Sequence, residues 1–283
     1  MLRNRIIYIL VILVLAFPLS SGFVLPPSRM IAAEKAYEII DNYQAKEGEL
    51  VFVAFDFGPG SKAENYAQAE VAVEHLFRKR AKVVFFSLYA LAEGFLESLP
   101  KQVAAKLAKE HSDQSWTYGV DWINLGFKNG GILFLQALVK SDDLASFLKK
   151  DSSGAELKQF SLMKNVGGFS SIKLLVEFSS LSGMLRNYVQ YFNSSTHRPL
   201  YIYGCTSIGS PEAYIYLDSG QINALYEGIG GAAWYSKLLT DNFVGREADS
   251  ASLINSAIGV GHLLIIGLVA FGNVLTLFFR AQK

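Results

Sequence analysis

Five short apolar runs alternate with helically spaced stretches through the middle of the chain. LVFVAFDF (50–57), AKVVFFSLY (81–89), YGVDWINLGF (118–127), IKLLVEFSS (172–180) and RPLYIYGCTS (198–207) are almost continuously apolar and end in turn residues. Strands buried on both faces read this way. Between them, NYAQAEVAVEHLFRKR (65–80) sets Ala69, Val73, Leu76 and Phe77 on one helical face, and GFLESLPKQVAAKLAKEH (94–111) follows the same period with Pro100 near a break. The stretches 130–150, 181–192 and 219–239 predict three more helices, and YIYLDSGQ (214–221) reads as a short strand, a hairpin or a docking segment. Strands each followed by a helix predict an α/β domain with a doubly wound, mainly parallel sheet, Rossmann-like or flavodoxin-like, with right-handed crossovers. The polar, glycine-rich stretch 151–171 breaks the alternation and is expected to pass over the carboxyl edge of the sheet.

The apolar content of 51% is high for a soluble domain, and its excess lies at the two ends. Leu253 to Phe279 contains no Asp, Glu, Lys or Arg and is long enough to cross a bilayer as one helix. The run after Arg5 (IIYILVILVLAFPLSSGFVL) reads either as a signal anchor or as a signal peptide cleaved near Ser20-Ser21-Gly22. Arg3 and Arg5 before the first run and Arg280 and Lys283 after the second favour the cytoplasm for both flanks. This arrangement predicts a protein of the cytoplasmic membrane with its main domain on the extracytoplasmic side. The expected organisation is a signal anchor or signal peptide over 1–25, a linker with an amphipathic helix over 26–47, the α/β domain over 48–240, a second linker over 241–252, and a transmembrane helix over 253–279.

Charge narrows the function classes. Setting aside the four flanking cations leaves 22 of the 26 Lys+Arg against 25 Asp+Glu, so the exported part is slightly acidic and nucleic acid is not an expected partner. Cys205 is the single cysteine, which excludes an intrachain disulfide. The histidines His75, His111, His197 and His262 are scattered without metal-ligand spacing, and neither a metal nor a cofactor is expected.

In an open parallel sheet, ligands sit beyond the carboxyl ends of the strands. Weak catalytic candidates there are Asp56, Lys62, Ser87, Glu177 and Ser207. Ligand-binding candidates are Gly58, Gly60 and Ser61 in DFGPGSKAE, with Lys128 and Asn129 after the third run. The DFGPGSKAE loop has glycines, a lysine and a helix amino end, features that cradle anions. Ala63 nevertheless breaks both the G-x-x-x-x-G-K-[ST] and the G-x-G-x-x-G spacing, so the plain reading is a tight strand-to-helix turn. Asp121, at the start of its run, falls on the amino edge. Gly228, Gly231 and Ala232 mark close helix packing. At 100° per residue, Asn255, Gly259, His262 and Asn273 lie within about 60° of one another on the last helix. With the Ala257-x-x-x-Gly261 pair, they predict association with another membrane segment, from a second copy or from a different protein.

The segments DFGPGSKAE, YGVDWINLGFKNGG and YLDSGQINALYEGIGGAAWY together resemble a group of prokaryotic membrane proteins in which an exported Rossmann-like domain is flanked by hydrophobic segments. The resemblance covers about residues 48 to 240. It implies the extent of the domain and brings no activity and no catalytic residue. Two functions stand as expectations: a membrane-anchored extracytoplasmic binding or assembly module, as a subunit of an envelope complex, and an exported hydrolase-like enzyme using the strand-end rim.

Overall fold

A computed structural model describes residues 2–193 and 196–281. The flanking cations Arg3, Arg280 and Lys283 lie outside the described side chains. Along the chain the elements are α1 (Leu2–Ser21), α2 (Ile31–Asp41), β1 (Leu50–Asp56), α3 (Lys62–Arg78), β2 (Val83–Ser87), α4 (Glu93–Glu110) and β3 (Trp122–Phe127). There follow α5 (Ile132–Leu138), α6 (Leu144–Leu148), β4 (Ile172–Ser179), α7 (Met184–Phe192), β5 (Leu200–Cys205), α8 (Ser210–Asp218), β6 (Ala224–Glu227), α9 (Gly228–Asn242) and α10 (Ser250–Ala281).

The five apolar runs become β1 to β5, as alternation of two-sided burial with helical spacing requires. Together with β6 they form one all-parallel sheet in the order β3-β2-β1-β4-β5-β6. This is the order of sheets that bind dinucleotides at the point where strand order reverses, here between β1 and β4, and it differs from the flavodoxin-like order. Helices cover both faces. Val51, Val53, Phe55 and Phe85 pack against α2, α3, α4 and α9, while Phe52, Phe86, Leu175 and Tyr201 pack against α5, α6, α7 and α8. Each such side chain, fully removed from water, contributes about 1.5–3 kcal/mol.

Three expected elements differ. The predicted helix over 130–150 is two short helices, because Asp143 starts a new one by accepting from the Ser146 amide at 2.9 Å. The predicted helix over 219–239 begins instead with the sixth strand, Ala224–Glu227, and YIYLDSGQ belongs mostly to α8. Four residues of strand are too short for a periodicity to show. Residues 151–171 run beside the outer edge of β3: the Ser152 amide donates to Asn124 O at 2.9 Å and the Leu162 amide to Gly119 O at 3.0 Å. Leu157, Leu162, Met163 and Phe169 are buried there, so the segment covers the edge strand.

Outside the sheet, α1 and α10 pack together as an antiparallel hairpin. A Cβ on Gly259 would meet Leu25 at 3.0 Å, and one on Gly261 would meet Leu15 at 3.0 Å, so the small residues of α10 receive the large ones of the amino-terminal segment. Most of the remaining hairpin surface is exposed and apolar, including Ile12, Leu13, Leu263, Ile266 and Phe271, with His262 and Asn273 as exposed polar exceptions. Among the described residues one helix, Ser250–Val274, is long and apolar enough to cross a membrane, with mean hydropathy 2.0; Arg5–Ser21 is a shorter apolar helix.

Candidate functional site

The carboxyl end of the sheet is built around two carboxylates. In the β1–β4 register Ala54 pairs with Glu177 and Asp56 with Ser179, so the side chains of Asp56 and Glu177 share one face, under α7. Both are fully buried. Asp56 Oδ1 accepts from Ser87 Oγ at 3.0 Å and from the Leu88 amide at 2.6 Å, and Oδ2 accepts from the Tyr188 hydroxyl at 2.9 Å. Burial pushes the Asp56 carboxyl up to about 6 despite these three donors. Glu177 Oε2 accepts from the Tyr201 hydroxyl, and Oε1 has no partner among the described residues. Burial, reinforced by the neighbouring Asp56 charge, raises Glu177 well above the usual carboxylate range. Two acids forced together away from water favour a form with at least one proton retained.

The remaining rim candidates do not gather on this pair. Lys62 opens α3, is exposed, and lies 5.4 Å from the Tyr66 ring centre. Ser207, exposed at the end of β5, donates through its amide at 2.8 Å and its hydroxyl at 2.5 Å to Glu64 Oε2. Glu64 thus ties the start of α3 to the β5–α8 turn. Lys128 is half-buried after β3, where burial lowers its amine, and Asn129 Oδ1 accepts from the Gly130 amide in its own turn. Asp121 pairs with Lys82 at 2.9 Å at the amino end of the sheet, as expected from its position in the run.

The anion-cradle geometry is closed. A Cβ on Gly58 would lie 3.0 Å from the Tyr89 ring, so that ring occupies the approach to the loop backbone, while Gly60 faces open space. Ser61 Oγ donates to Ser180 Oγ at 2.9 Å, joining the loops after β1 and β4 across the switch point. A smaller cleft of ≈ 220 Å³ lies one strand further on, between Ser179, Ser182, Thr206 and Glu212. A larger one of ≈ 580 Å³ lies between the start of α4 and the edge of β3, lined by Glu93, Glu97, Tyr118, Asn124 and Ser152. Cys205 is buried, which pushes its thiol up to about 11 and makes it a poor nucleophile. Among the described residues no group of three His, Cys, Asp or Glu is placed to hold a metal ion.

A second polar centre sits at the junction with the hairpin. Arg246 donates to Glu74 from Nε at 2.8 Å and from Nη2 at 3.0 Å, pairs with Asp249, and reaches Ser236 Oγ at 3.0 Å. Arg78 and Lys106 also contact Glu74, at 2.8 and 3.0 Å. Burial alone would raise the Glu74 carboxyl, but the hydrogen bonds and charges of Arg246, Lys106 and Arg78 hold it at about 2. Asp249 Oδ1 accepts from the Ser252 amide at 2.9 Å and caps α10. Sequence reading missed this cluster: Glu74 with Arg78 and Arg246 with Asp249 are each local pairs, but nothing local joins the two.

Compared with known proteins, the chain matches no family model, no curated protein and no solved structure.

Proposed function

We propose that the protein is a membrane-anchored α/β module that works by binding and assembly, with the α1–α10 hairpin in the bilayer and the sheet domain outside the cytoplasm. The observation that carries this reading is the hairpin, whose exposed surface is mostly apolar and whose base is fixed to the domain by the buried Glu74–Arg246–Asp249 cluster. A helix pair so exposed in water would cost far more than one facing lipid. Packing of α1 against Gly261, and of its connector against Gly259, supports an anchor that stays in the mature protein.

The strand-end rim supports binding more than catalysis. Asp56 and Glu177 are sealed under Tyr188 and Tyr201, Ser87 donates to Asp56 inside the same seal, and Lys62, Lys128 and Ser207 lie apart from them. On α10, Gly259 meets the chain's own Leu25, whereas His262 and Asn273 are exposed. A polar face in lipid calls for a further helix, which fits a subunit of an envelope membrane complex.

Alkaline carbonate extraction, followed by protease treatment of right-side-out vesicles, tests the anchor and its side. The expected outcome is a pelleted protein whose 48–240 region is digested from outside. Release into the supernatant, or protection of that region, overturns the proposal. Mass spectrometry of what co-purifies in mild detergent tests assembly, with a partner lost on His262→Leu as the expected result.

A further inference from the structure

We infer that a cavity at the base of the hairpin receives an acyl chain of a bilayer phospholipid, with Lys237 meeting the lipid phosphate. This inference rests on the membrane reading above and adds a binding site to it. The cavity has a volume of ≈ 350 Å³, and three segments form its walls. Leu25, Pro26 and Pro27 belong to the connector after α1, Ala233 and Lys237 to α9, and Ala248 to the residues just before α10.

Its position is set by the polar cluster and the hairpin together. The Leu25 amide donates to Ser256 Oγ at 2.9 Å, which pins the connector against the first turns of α10. The apolar span begins at Ser250, within one turn of Ala248 and of Ser252, another lining residue. The mouth therefore opens at the level where a bilayer surface would meet the domain. Phe23 and Val24, both exposed, continue the apolar surface from the cavity onto the hairpin.

The chemistry of the walls selects the occupant. Arg246 also borders the cavity, but all three of its guanidinium nitrogens are engaged by Glu74, Ser236, Thr240 and Asp249, so it offers little free charge inward. Thr240 and Ser252 spend their hydroxyls on Ser236, and apart from Lys237 the remaining walls are prolines and aliphatic groups, which offer water few hydrogen bonds. Lys237 is half-exposed at this wall. Its ion pair with Asp241 is also exposed and so readily exchanged for a phosphate. Its amine lies 5.7 Å from the centre of the Trp234 ring, placing an amphipathic aromatic at the same level. An aliphatic pocket with a cation and a tryptophan at a membrane surface fits a phospholipid chain entering beside its own headgroup.

The test uses the full-length protein in mild detergent and native mass spectrometry. After delipidation, phosphatidylglycerol or phosphatidylcholine is added back. The wild type is expected to hold one phospholipid per chain. Ala248→Glu, which places a carboxylate at the exposed mouth, and Ala233→Leu, which fills the cavity, are expected to hold on the order of tenfold less. Both variants should still pellet after carbonate extraction, and if Ala233→Leu fails to fold, Ala248→Glu still decides the matter. Lys237→Gln should remove a preference for phosphatidylglycerol while leaving phosphatidylcholine bound. A lipid-free wild type, equal retention by the variants, or a protein segment retained in place of lipid overturns the inference. Carbonate release of the wild type would instead bring down the membrane reading itself.

Discussion

The pair Asp56 and Glu177 shows how a residue acquires a property that its type does not have. Each sits at a strand position that points into the apolar face under α7, and each accepts from a tyrosine hydroxyl rather than from a cation. Because the folded pKa is raised, the native state binds more protons than the unfolded chain, and stability falls as pH rises. For Asp56, moving from 3.8 to about 6, this is on the order of 3 kcal/mol present below about pH 4 and lost as pH rises through 6. Glu177 extends the loss to higher pH. Glu177→Gln, which keeps an acceptor for Tyr201, should therefore leave stability at pH 5 nearly unchanged and flatten its decline toward pH 8; urea titrations at the two pH values read this directly. Gly204 is a second residue-scale test. A Cβ there would lie 2.7 Å from Gln68 Oε1, inside the network where Gln68 Nε2 donates to Cys205 O at 2.7 Å and to Gly228 O at 2.9 Å. Gly204→Ala should cost about 1–3 kcal/mol in the same titration.

At the scale of elements, the question is what fixes α10 to the domain. Arg246 supplies the charge that two buried acids share, so Arg246→Met leaves Glu74 with Arg78 and Lys106 only and takes from Asp249 its cation. The expected cost is about 3–5 kcal/mol, seen as a lowered melting temperature in detergent. Replacing all three charges by apolar groups should cost less than the single change, because the cations then left without Glu74, Arg78 and Lys106, reach Glu110 or solvent, whereas Asp249 in the single change cannot. The hairpin contact is a separate joint. Gly261→Leu forces a side chain against Leu15 and should loosen α1, measured as faster chymotrypsin cleavage at Phe17 and Phe23 in detergent. An unchanged cleavage rate would show that α1 does not depend on that contact.

Across the whole molecule, the two polar centres divide the work. At the strand ends Tyr89 covers Gly58 and the Ser61–Ser180 bridge spans the switch point, so a ligand there would meet the rim and the neighbouring ≈ 220 Å³ cleft rather than the buried acids. The junction centre ties α3 and α9 to the start of α10 and so joins the hairpin to the domain. Deleting residues 1–25 should strip Leu25 and Leu15 from α10, expose Gly259 and Gly261, and lower the melting temperature of the domain as well as its membrane retention. Loss of retention with an unchanged melting temperature would mean that the two parts are energetically independent.

How much of this was legible beforehand depends on how local the causes are. Strands β1 to β5 and the long helices follow from burial on both faces and from the 3.6-residue period, which are properties of contiguous residues. The apolar ends and the amino-edge placement of Asp121 are equally local. The sequence by itself therefore determined the α/β class, the parallel sheet and the apolar segments. Tertiary structure alone decided the strand order, the sixth strand of four residues, and the edge-covering path of 151–171. It also decided that Asp56 and Glu177 lie under α7 while Lys62, Lys128 and Ser207 lie elsewhere, and that Arg246 reaches back 172 residues to Glu74. Periodicity reports which face of an element is buried; which other element covers that face is set by packing between residues far apart in the chain, and that choice turned a row of rim candidates into one sealed pair.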